Sequence, residues 1–117
     1  MTEKQIIKLM KFPQTDKGNA ERLRCIFGNT WKYLPRYKVW LYWNGHRWEG
    51  RRTVNLIWTT RETFHNLILE IHRLPCPEGY FEQRLCLHVI EWLTRSQKDC
   101  HCRMAVKHFK EMIQKEE

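Results

Sequence analysis

Cations and aromatic rings are interleaved through the middle of this sequence. Arg22, Arg24, Lys32, Arg36, Lys38, Arg47, Arg51 and Arg52 fall among Tyr37, Trp40, Tyr42 and Trp48, and His46 stands beside Arg47. Ammonium and guanidinium groups hold phosphates, and aromatic faces stack on bases, so such a strip suits nucleic-acid binding. The candidate contacts are therefore Arg22, Arg24, Lys32, Arg36, Lys38, Trp40, Tyr42, His46, Arg47, Arg51 and Arg52. Taken singly, each tryptophan has the alternative of a place in a small core, and each arginine that of a solvated charge. Lys and Arg number 21 against 13 Asp and Glu, a net charge of +8. That is the electrostatic footprint of a phosphate-rich partner, although charge of this sign also serves solubility.

Enzymatic chemistry has little support. The sequence contains no Gly-x-x-x-x-Gly-Lys-Ser/Thr, no Gly-x-Gly-x-x-Gly and no Gly-x-Ser-x-Gly, so ATPase, dinucleotide and serine-hydrolase chemistry have no motif to rest on. Glu62, Glu70, Glu82 and Glu91 sit at helix positions with basic neighbours and read as solvated charges. Zinc would need four N/S ligands to converge from Cys86, His88 and the Cys100-His101-Cys102 segment. A Cys-x-Cys within a helix points its thiols about 200° apart, however, so these residues read as small side chains at helix contacts. No metal, no cofactor and no catalytic residue is expected.

The elements that must position the strip follow from periodicity. Residues 1–13 form an arm or a short amphipathic helix around Ile6, Ile7, Leu9 and Met10. Residues 14–117 form the main domain. Its first helix starts near Asp16 or Asn19, both good N-caps, and runs through Phe27 to Gly28, a C′ glycine. The next stretch is a meander: Trp31 to Leu34, a turn over Pro35 to Lys38, Val39 to Trp43, and His46 to Glu49. Asn44-Gly45 suits the positive φ angles of a two-residue type I′ hairpin turn, with His46 and Arg47 at its tip. Strand alternation puts Trp40 and Tyr42 on one face and Leu41 and Trp43 on the other. Both faces are apolar, so one is covered by another segment or offered to a partner.

Three helices follow. The first spans about Thr53 to Arg73, with Val54, Ile57, Trp58, Phe64, Leu67, Ile68 and Ile71 as its apolar stripe, and Leu74-Pro75-Cys76-Pro77 stops it. The second runs from about Glu78 to Arg95 through Phe81, Leu85, Val89 and Trp92. The last runs from Ser96 or Asp99 to Ile113 through Met104, Ala105, His108, Phe109 and Met112. The fold class expected is α+β: a small three-stranded antiparallel meander packed with about four helices in a single domain. Five cysteines (Cys25, Cys76, Cys86, Cys100 and Cys102) make an odd count, which points to a reducing, cytoplasmic setting. No apolar run approaches the roughly 20 residues of a membrane span, and the amino terminus lacks the pattern of a signal peptide.

Three segments carry a more specific likeness. Thr15-Asp16-Lys17-Gly18-Asn19-Ala20-Glu21-Arg22, then Trp40 to Trp48, then Trp92 with Arg95-Ser96 fit the patterns T-D-x-G-N-A-x-R, W-L-x-W-[DN]-G-x-R-W and W-x-x-[KR]-S. Over about residues 14–113 the chain resembles the amino-terminal portion of the helicase-associated domain of phage and plasmid primase-helicase proteins, related to the poxvirus primase-helicase. The resemblance implies a role in viral or mobile-element DNA replication, in a chain expected to carry neither the helicase motor nor the primase carboxylates. It also implies structural motif residues: Asp16 and Asn19 capping, Arg22 pairing or packing against the hairpin, Trp43 and Trp48 filling the core. The function expected is a non-enzymatic DNA-binding or replication-accessory module of a phage or mobile element. Its partners would be single-stranded or duplex DNA and a replication helicase or primase, with no membrane. The alternative is a phage-encoded interaction module that binds and inhibits a host defence or replication protein.

Overall fold

A computed structural model describes residues 1–75 and 78–115. Cys76 and Pro77, expected in the stop after the long helix, lie outside them, as do Glu116 and Glu117. The elements are α1 (Glu3–Met10), α2 (Asp16–Phe27), β1 (Trp31–Leu34), β2 (Val39–Trp43), β3 (Trp48–Arg51), α3 (Thr53–His72), α4 (Tyr80–Ser96) and α5 (Asp99–Lys115). The architecture is α+β, with β1, β2 and β3 forming an antiparallel sheet in that order.

The amino-terminal arm is a packed helix. Thr2 and Gln5 cap it reciprocally, and Ile6, Leu9 and Met10 are buried. In α2 the cap is Thr15, whose hydroxyl accepts from the Gly18 N–H at 2.9 Å, rather than Asp16 or Asn19. Asp16 is the first helical residue, where its charge complements the helix dipole, and Asn19 lies buried inside the helix. Gly28 ends α2 with φ +57°, a conformation that only glycine adopts at no steric cost.

The hairpin forms, but not by a two-residue turn. Trp43 pairs with Trp48, which leaves Asn44 to Arg47 as the loop and starts β3 two residues later than the expected His46. Asn44 keeps a negative φ while Gly45 reaches +100°. The Asn44 side chain organises the loop instead: its Oδ1 accepts from the N–H groups of His46 (2.8 Å) and Arg47 (2.9 Å).

The sheet's inner face carries Trp31, Tyr33, Trp40 and Tyr42, and α5 packs beneath it. Phe109 of α5 stacks on Trp40 with centroids 6.0 Å apart and planes 10° from parallel, and Trp31 meets Trp40 edge-on at 6.2 Å. The core continues between the helices through Leu56, Ile57, Phe64, Leu67, Val89, Leu93 and Ala105. Several residues of the expected apolar stripes face solvent: Val54 and Trp58 on α3, Phe81 on α4 and Met104 on α5. In α3 the buried stripe runs through Ile57, Thr60, Phe64, Leu67 and Ile71. Val54 and Trp58 stand together on its flank, because 100° per residue places them to one side of that line.

Candidate nucleic-acid interface

Two of the expected contacts are not on the surface. Arg22 is fully buried, and its five N–H donors all have acceptors. Nε donates to the Leu9 carbonyl (2.9 Å); Nη1 to Asn19 Oδ1 (2.9 Å) and the Pro13 carbonyl (3.2 Å); Nη2 to the Phe12 carbonyl (2.7 Å) and Gln14 Oε1 (2.9 Å). Arg22 therefore clamps the α1–α2 connection and does not pack on the hairpin. Burial pulls its pKa down to about 10, against a smaller opposing pull from Glu21. Trp40 is 1 % exposed, so its ring is committed to the core and cannot stack on a base.

The rest of the Thr-Asp-x-Gly-Asn-Ala-x-Arg segment converges on the same place. Asn19 donates from Nδ2 to Ser96 Oγ (2.9 Å), and its Oδ1 also accepts from Trp92 Nε1 (2.9 Å). Asp16 meets His101 Nδ1 at 2.8 Å. At Gly18 a Cβ would stand 2.0 Å from the Pro13 carbonyl oxygen, the same carbonyl that Arg22 binds. Two separated motifs, one on α2 and one at the end of α4, thus form a single buried polar hub.

The sheet's outer face has the opposite character. It carries Lys32, Leu34, Val39, Leu41, Trp43 and Trp48, as the register requires. Trp43 and Trp48, expected in the core, are 37 % and 36 % exposed. Alternation settles which residues share a face; Phe109 settles which face goes inward. The Trp43 and Trp48 rings lie 5.4 Å apart, and Lys32 Nζ sits 4.7 Å from the Trp48 ring. Beside them an open groove of about 330 Å³ is lined by Arg24, Asn29, Trp31, Lys32, Trp48 and Ile113, together with Gly28.

The other cations distribute around this face. Arg36 and Lys38 are exposed in the β1–β2 turn, with Tyr37 71 % exposed between them. His46 and Arg47 are exposed in the β2–β3 loop. The two loops stand at opposite ends of β2, about 17 Å apart at a strand's rise per residue. Arg51 pairs with Glu49 and lies 5.6 Å from the half-buried Tyr42 ring on the inner side. Arg52 is exposed as the residue before α3. The structure thus gathers Arg24 and Lys32 with Trp48, flanks that face with Arg36, Lys38, His46 and Arg47, and sets Tyr42, Arg51 and Arg52 apart from it.

Residues 20–116 match the family model described as D5 N terminal like. The chain belongs to the D5 N terminal like family. This is the N-terminal domain of D5-like primase-helicase proteins, an associated domain and not the catalytic one, and it fits a replication setting in phages and mobile elements. No curated protein and no solved structure matches the chain. Among the described residues of this D5 N-terminal-like domain, no group of three His, Cys, Asp or Glu side chains gathers where a metal could be held. His101 pairs with Asp16, and the Cys102 thiol donates to the Ser96 carbonyl at 3.2 Å; burial raises the Cys102 pKa. Among the described residues, no helix is long and apolar enough to cross a membrane.

Proposed function

We infer that this domain is a non-enzymatic accessory of a primase-helicase system and binds single-stranded DNA across the outer face of its sheet. One observation carries the reading: Trp43 and Trp48 form a solvent-facing ring pair with Lys32 over it, and this pair opens into a groove lined by Arg24. Unpaired bases stack on such rings whatever their sequence, and cations on either side follow the phosphates. The basic loops at the two ends of β2 give a strand crossing the sheet a phosphate contact at each end. The thiols of Cys25, Cys100 and Cys102 are free, which suits a reducing cytoplasmic setting.

Fluorescence anisotropy with labelled single-stranded and duplex DNA, at low and moderate salt, tests this. Single-stranded DNA is expected to bind more tightly, in a salt-dependent manner, and Lys32→Ala with Trp48→Ala to weaken it by about 1 to 3 kcal/mol for the lost stack. Absence of salt-dependent binding to either DNA overturns the reading.

A protein partner is the second reading, favoured by a different surface. Trp58 (63 % exposed) and Leu69 (44 % exposed) project from α3 and share one side of it, being eleven positions apart. A pull-down from nuclease-treated host lysate that retains one protein, and loses it on Trp58→Ala, would support this; loss of every partner after nuclease counts against it.

A further inference from the structure

We propose a second phosphate-binding site, resting on the nucleic-acid reading above, in the groove between α5 and the first turn of α3. This groove measures about 220 Å³, and its lining includes Trp40, Thr53, Ile57, Arg103, Lys107 and Lys110. None of the side chains lining it is acidic. The three cations recur at i, i+4 and i+7 and so share one side of α5. Arg103 is partly neutralised by Asp99 one turn earlier, and Lys110 Nζ lies 4.4 Å from the Tyr33 ring. Lys107 is exposed and has no ion-pair partner among the described residues.

Two further features point to an anion. The first turn of α3 contains no acidic residue, so the positive end of its dipole is left without a counter-charge. Independently, Trp40 is 1 % exposed and its Nε1–H has no hydrogen-bond partner. An indole N–H is a donor only, and a buried one without an acceptor costs stability. The half-buried Trp92, by contrast, donates to Asn19. A phosphate oxygen at the Trp40 side of the groove supplies the missing acceptor while the α5 cations neutralise the charge. This groove and the one beside Trp48 both border α5, the first at residues 103–110 and the second at Ile113, so one strand has two separate points of attachment.

The test uses the full chain, labelled with ¹⁵N. The Trp40 indole N–H signal, assigned with Trp40→Phe, is followed during titration with a single-stranded oligonucleotide and, separately, with inorganic phosphate. Oligonucleotide affinity is measured across salt for the wild type and for Lys107→Ala/Lys110→Ala, both exchanges lying at the helix surface. The Trp40 signal is expected to move to lower field with the oligonucleotide, and the salt slope of the double variant to fall by about 1.4, roughly 0.7 for each lost contact to a single strand. An unchanged slope with an unmoved Trp40 signal overturns this site while leaving the outer sheet face intact. Equal movement with inorganic phosphate and with the oligonucleotide, at matched phosphate concentration, marks a small-anion pocket and overturns the assignment to a strand. No oligonucleotide binding by the wild type overturns the parent reading, and this site with it.

Discussion

Around Arg22 every guanidinium donor finds an acceptor inside the protein, whereas on the outer face of the sheet Trp43, Trp48 and Lys32 lie against one another and solvent. Both regions draw on the segments that carry the sequence resemblance, yet they differ in character. At the hub, polar side chains replace the backbone partners that an irregular α1–α2 connection cannot provide for itself, and burial makes each of them costly to lose. On the sheet, the rings are held by cross-strand pairing on one side only. A cation is thus a candidate ligand contact when its donors are unsatisfied at the surface, and a structural element when they are satisfied in the interior.

The largest effects should fall on the hub and on the inner sheet face. Arg22→Ala and Trp40→Ala are each expected to lower unfolding free energy by about 3 to 5 kcal/mol, since each empties a large buried site and Arg22→Ala also strands several carbonyl oxygens. Urea denaturation followed by circular dichroism measures this; a loss near zero for Arg22→Ala would mean that the hub is not structural. Gly18→Ala is expected to cost about 1 to 3 kcal/mol, because its methyl group displaces the Pro13 carbonyl that Arg22 holds. Combined with Arg22→Ala it should be less than additive, since both exchanges break the same contact.

Trp43→Ala should cost no more than about 1 kcal/mol, the worth of a cross-strand pair. A loss equal to that of Trp40→Ala would erase the contrast between the two faces. Smaller still is the effect of Glu49, whose pKa is lowered first by the hydrogen bond from Asn44 and then by that from Arg51. A carboxyl held below its ordinary value stabilises the fold above that value and loses the contribution as pH falls through the depressed one. The advantage of the wild type over Glu49→Gln should therefore be present at neutral pH and vanish in acid.

The helices and the meander were legible because apolar periodicity and alternation are properties of the local chain. Which face of the sheet turns inward was not. Trp40 with Tyr42 and Leu41 with Trp43 are equally apolar pairs, and the choice rests on Phe109, nearly seventy positions away. Arg22 looked like a surface cation because its acceptors are mostly backbone carbonyls, which carry no mark in sequence. Asn44-Gly45 suggested a tight turn, but the Asn44 side chain makes the turn and gives a longer loop. Arg103, Lys107 and Lys110 did not stand out in the sequence, because only the position of α5 beside α3 gives them a groove to face.

On the proposed reading, the ring pair on the outer face serves binding and the hub serves folding. The most direct measurement is the affinity of Trp43→Ala/Trp48→Ala for single-stranded DNA, taken together with its urea midpoint. Binding is expected to weaken by at least about fivefold, as the loss of one base stack at about 1 to 3 kcal/mol implies, with the fold retained. Affinity equal to that of the wild type, in a variant that remains folded, would contradict it.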